Sequence, residues 1–213
     1  LILTSPSSKK SMVKSLEERE SEVDWDTVIE QVCTSVLADF RAGAPSVEIT
    51  GKADVKALSR WLVDPILQTG HPTLIYGQGS SGKSWFAQYV SVLADVGMNS
   101  SGLRVEPAKV LWLDWETTEE EFNVRIAMIA KGLGLEADTH IRYVQMETGL
   151  SNDIEHIKRE ILEWDIELVV LDSLGSACMG EPESAEVVLR MFQALRSLHC
   201  TALCIDHVNK DGH

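Results

Sequence analysis

The stretch Gly77-Gln-Gly-Ser-Ser-Gly-Lys-Ser84 satisfies the pattern G-x4-G-K-[ST] in full. It lies where the rhythm of the chain changes. Residues 72–76 are a short apolar run of strand length, and residues 82–96 place Phe86, Val90 and Leu93 at helical spacing. A strand that turns through glycines into a helix is the setting in which such a loop holds phosphate. Gly77, Gly79 and Gly82 let the backbone wrap closely, so that the N–H groups of this loop, with Gln78, Ser80 and Ser81 in it, face phosphate oxygens. The helix start adds the positive end of its dipole. Lys83 supplies a point charge for the β- and γ-phosphates and Ser84 a hydroxyl ligand for Mg2+. These residues predict a site for ATP with Mg2+.

Outward from the loop, strand and helix keep alternating. Strands are expected at 110–114, 141–145, 168–172 and 201–206, with helices at 118–131, 152–164 and 183–198. Thr118 and Glu121 stand at capping-box spacing. The run 168–171 is continuously apolar, which suits a strand buried on both faces. This alternation predicts an α/β core, a parallel sheet sandwiched by helices, over residues 65–213. Residues 1–24 are rich in Ser, Lys and Glu and read as a solvated, disordered tail. Residues 25–64 read as a small helical element. Val28, Ile29, Val32, Val36, Leu37 and Phe40 recur at helical spacing behind a capping Asp26, and a second short helix is expected at 54–62. That element is either a brace on the core or a lid or oligomerisation device.

Asp172 ends the run 168–171 and is the expected second metal-side carboxylate of a P-loop site. Hydrolysis also needs a group that orients or deprotonates water. The position after Asp172 is Ser173, which offers no carboxylate, but a different strand offers one. Val110-Leu-Trp-Leu-Asp-Trp-Glu116 offers Glu116 just past a strand end, with Asp114 as its competitor. Glu119 to Glu121 suit the first turn of the following helix. Cys200, Cys204 and His207 resemble half of a zinc site on paper. Four residues of strand span roughly 13 Å, too far for two thiolates on one metal, so the cysteines are expected to be structural.

From Trp61 onward the chain resembles RecA-like P-loop ATPases of the plasmid replicative hexameric helicase type, the RepA-like, AAA-domain family. The resemblance rests on Trp61-Leu-Val-Asp-Pro-Ile-Leu-Gln-Thr-Gly-His-Pro-Thr-Leu-Ile-Tyr leading into the loop, on residues 110–116 and 168–174, and on Thr201-Ala-Leu-Cys-Ile-Asp-His-Val-Asn-Lys210. It implies that Glu116 is the catalytic base and that His207 senses the γ-phosphate. It also implies a homo-oligomer, a hexameric ring or a filament, with ATP at subunit interfaces and an arginine finger from a neighbour. The finger segment follows the fifth strand, so the core is expected to be incomplete at the C-terminus. The family's His-His-x-x-Lys reads Asp206-His207-Val208-Asn209-Lys210 here, so its first histidine is replaced. Lys210 is either a phosphate contact or a solvated loop lysine.

Rival nucleotide chemistries fit less well. Asp172-Ser-Leu-Gly175 matches D-x-x-G of GTPases, but Asn209-Lys-Asp-Gly212 lacks the carboxylate that would read guanine. No arginine-rich lid suggests a small-molecule kinase. Charge bears on what the ATPase acts upon. The chain carries 19 Lys plus Arg against 33 Asp plus Glu, a net −14. Lys plus Arg number 8 against 11 acids up to residue 64, and 11 against 22 beyond it. Cations dominate nucleic-acid affinity, and residues 175–184, which could face a ring channel, contain none. DNA processing by a helicase or translocase is the reading the resemblance favours, without support from charge. The alternative is a RecA/KaiC-type ATPase or nucleotide switch acting on protein partners. No apolar run approaches a membrane span and no secretion signal opens the chain, so a soluble cytoplasmic protein without membrane contact is expected.

Overall fold

The structure, a computed structural model, describes residues 3–42, 46, 48–52, 60–136, 138–178 and 184–207. The chain forms two compact units, Leu1–Ala53 and Asp54–His213.

The first unit contains helix α1 (Pro6–Glu17) and helix α2 (Trp25–Ala42), which pack on each other. The solvated tail expected at 1–24 is therefore corrected. Ser5 caps α1 by accepting the Ser8 N–H, and Pro6 opens the first turn, where its missing N–H costs nothing. Val13 is buried with Ile29 and Cys33, and Met12 and Leu16 pack against them. Asp24, rather than Asp26, caps α2, accepting the Thr27 N–H at 3.1 Å and its hydroxyl at 2.7 Å.

The second unit begins with β1 (Trp61–Asp64) and β2 (Leu67–Gln68), which with β4 (Arg104–Val105) form a small antiparallel sheet in the order β2-β1-β4. Trp61 and Leu62 thus belong to a strand and not to the helix expected at 54–62, whose residues 54–59 lie outside the described residues. Val63 pairs with both Leu67 and Val105, a partnership that local periodicity cannot reveal. This strand joins the core unit, so the core starts before residue 65.

The main sheet holds β3 (Pro72–Gly77), β5 (Val110–Asp114), β6 (Arg142–Gln145), β7 (Leu168–Asp172) and β8 (Thr201–His207), all parallel, in the order β3-β8-β7-β5-β6. Its two faces follow the period-2 alternation of the strands. Val110, Trp112, Val170, Leu203 and Ile205 pack under α3 (Lys83–Val96) and α4 (Glu119–Leu133), meeting Val90, Leu93, Phe122 and Ile126. Leu111, Leu113, Val169, Leu171 and Cys204 pack under α5 (Leu150–Trp164), a short α6 (Leu174–Cys178) and α7 (Ala185–Arg196), meeting Ile157, Ile161, Met191 and Leu195. Every residue of β5 and β7 is buried, as helices on both faces require. Among the described residues no helix is long and apolar enough to cross a membrane.

Candidate nucleotide-binding site

β3 ends at Gly77, and α3 starts at Lys83 behind Gly82, whose φ of +85° is left-handed and strained for any residue with a Cβ. Of the three loop glycines, Gly82 is the one the backbone demands. A Cβ on Gly79 would meet nothing within 4 Å, and one on Gly77 would make ordinary contacts with Ser81 and Lys83. No side chain caps α3, so the first turn presents its N–H groups toward the loop. The Lys83 stem leads back along the loop, and the side chain is only 8% exposed. Its ammonium donates to the carbonyls of Gly77 at 2.9 Å and Gln78 at 2.8 Å.

Strand register brings the other candidate residues to the same end of the sheet. Gly77 is level with His207, and Asp114 with Asp172. Four neighbouring strands, β3, β8, β7 and β5, therefore end side by side, each with a candidate group at its tip. Two contacts link three of these groups. Lys83 Nζ lies 3.3 Å from His207 Nδ1, and His207 Nε2 lies 3.2 Å from Glu116 Oε1. An ammonium only donates and a carboxylate only accepts, so this geometry suits a neutral imidazole with its proton on Nε2.

Asp114 and Glu116 differ in where their oxygens go. Asp114, 1% exposed, accepts the N–H groups of Glu116 and Thr117, each at 2.8 Å, and the Thr117 hydroxyl at 2.6 Å. Its carboxylate is consumed by the turn. Glu116 lines an open cleft of about 410 Å³ together with residues 80–85, Thr117, Arg125 and His207. Trp85, Thr117 and Arg125 went unnoticed in the sequence. The Arg125 guanidinium lies 5.6 Å over the Trp85 ring and pairs with Glu121 one helical turn back, a spacing the sequence does display.

Asp172 is 2% exposed, and its Oδ1 has no hydrogen-bond partner among the described residues. Burial raises its pKa to about 6. The Ser84 hydroxyl nearby opposes the rise, while the charges of Glu116 and Asp114 add to it. A buried, unpaired carboxylate oxygen beside a serine hydroxyl is a hard-oxygen donor set that fits Mg2+. The sign of the pH effect follows. The native pKa lies above the ordinary 3.8, so the cost of ionising Asp172 is absent below about pH 4, grows between pH 4 and 6, and is complete above. At about 1.4 kcal/mol per pH unit, that cost is on the order of 3 kcal/mol. Asp172→Asn therefore raises the melting temperature of the nucleotide-free protein at pH 8, with a gain that vanishes by pH 4. A lower melting temperature at pH 8 would contradict this account.

The remaining candidates are simpler. Burial pushes the Cys200 thiol up to about 11 and that of Cys204 up to about 12, which disfavours their thiolates. Asn209 and Lys210 lie outside the described residues, as do residues 179–183 of the stretch 175–184. Its first part is not loop, since residues 175–178 lie in α6.

A parallel α/β sheet with this loop at a strand-to-helix junction defines a P-loop NTPase. The chain belongs to the AAA domain family, whose sequence profile matches residues 41–213. Among solved structures, the KaiC-like protein PH0186 from the hyperthermophilic archaeon Pyrococcus horikoshii OT3 is similar over 69% of this chain, with 18% identity and a TM-score of 0.47. The match spans 65% of that protein's length. No curated protein matches the chain.

Proposed function

We propose that the protein is a Mg2+-dependent ATPase of the RecA-like, RepA-like kind that couples hydrolysis to DNA processing. The observation that carries the ATPase reading is the contact chain Lys83–His207–Glu116 across adjoining strand ends. In this mechanism the loop 77–84 wraps the triphosphate, and Lys83 leaves its carbonyl partners for the β- and γ-phosphates. Ser84 and Asp172 would hold Mg2+, which supplies charge neutralisation on the phosphate oxygens when bound. Glu116 takes a proton from the attacking water. The water oxygen bonds to the γ-phosphorus as the bond to the β–γ bridging oxygen breaks, and that oxygen leaves with ADP. His207, in contact with both Lys83 and Glu116, registers whether the γ-phosphate is present.

Assembly into a ring or filament fits an apolar surface on α3 and α4, where Trp85, Phe86, Val124 and Met128 are exposed. The net charge of −14 favours the second reading, in which protein partners replace DNA. Steady-state ATP turnover at low salt, with and without single-stranded DNA, separates the two, with light scattering in the presence of nucleotide to follow assembly. Stimulation by DNA is the expected result. Turnover indifferent to DNA transfers the function to protein partners, and absence of Mg2+-dependent turnover removes the ATPase reading.

A further inference from the structure

We infer that Asp114 is a positioning residue for hydrolysis, setting where the Glu116 carboxylate stands. The inference rests on the reading of Glu116 as the base and adds a residue to it. A buried carboxylate is costly unless its oxygens are well supplied with donors. Asp114 has no cation paired with it among the described contacts. Among the described residues its three hydrogen-bond donors belong to the two residues that follow Trp115, namely the N–H groups of Glu116 and Thr117 and the Thr117 hydroxyl. The turn is gripped from other sides as well. Tyr143 Oη donates to the Thr117 carbonyl at 3.1 Å. The Trp115 N–H donates to the Asp172 carbonyl and the Trp115 indole to the Thr148 carbonyl, both at 2.8 Å.

These bonds tie the backbone on both sides of Glu116 and leave its carboxylate toward the cleft, 3.2 Å from His207 Nε2. Such over-determination has a function where a reacting group must be held to within a fraction of an ångström. Misplacement by about 1 Å can cost on the order of 100-fold in rate. The aspartate never touches water or phosphate in this scheme. It acts through the N–H group of Glu116.

The test is a double-substitution cycle read by single-turnover ATP hydrolysis, with nucleotide affinity measured in parallel. Asp114→Ala is expected to lower the hydrolysis rate by roughly 10- to 100-fold while leaving the affinity for Mg·ATP within about twofold. Asp114→Asn keeps an oxygen for the two N–H groups and is expected to recover most of the rate. In a Glu116→Gln background, Asp114→Ala is expected to have almost no further effect, because the group it positions is already gone. Equal losses in both backgrounds, or weakened nucleotide binding, overturn the inference and leave Asp114 a structural residue. Wild-type hydrolysis by Glu116→Gln overturns the base reading itself, and this inference with it. Should Asp114→Ala fail to fold, Thr117→Val removes one of the three donors, and the same cycle applies with a smaller loss.

Discussion

Glu116→Gln leaves Mg·ATP bound and brings turnover down by about 100- to 10,000-fold, the range that a positioned general base contributes. The substitution keeps the size of the side chain and its reach to His207 Nε2, at 3.2 Å in the native chain. Only the ability to accept a proton is removed. The scaffold should survive, because the turn is held by Asp114, Tyr143 and Trp115 and not by the Glu116 carboxylate. Equilibrium binding of a fluorescent ATP analogue and steady-state phosphate release read the two quantities separately. Binding retained with turnover lost places Glu116 in the chemical step. A variant that turns over normally shows that water is activated elsewhere.

Lys83→Ala acts earlier, on binding. Removing one member of a buried charged pair costs about 2–5 kcal/mol, so affinity for Mg·ATP falls by roughly 30- to several thousand-fold. The ammonium rests on the carbonyls of Gly77 and Gln78, the backbone that the triphosphate must approach. Lys83→Met separates charge from packing, since it keeps a stem where the native Cδ passes Gly77. Both variants are expected to bind poorly by titration calorimetry. Native affinity in Lys83→Met would mean that the charge contributes nothing to phosphate binding.

The sheet and its helices were legible wherever a segment carries its own signal. The buried strands β5 and β7 are continuous apolar runs, and the loop at 77–84 is a contiguous motif. What escaped depends on distant partners. α1 is mostly polar and is held by a few apolar residues that meet α2. Val63 becomes strand through Leu67 and Val105, and Leu62 accepts a hydrogen bond from the Glu106 N–H. At the site, Glu116 and Asp114 are both acids just beyond or at the end of one strand, and spacing does not say which one the turn consumes. His207 contacts Lys83 and Glu116 across 124 and 91 residues of sequence, so only the strand order brings them together.

That strand order also schedules the birth of the site. The loop hangs from β3, and β3 has one neighbour in the main sheet among the described residues, β8. That neighbour is the last of the described strands to leave a ribosome. A nascent chain halted before Thr201 carries the entire phosphate loop yet offers β3 none of the described strands of the main sheet as a neighbour. At about 5–20 residues per second, several seconds of synthesis separate the motif from its support. The nucleotide pocket is a late acquisition of the growing polypeptide, one that waits for β8.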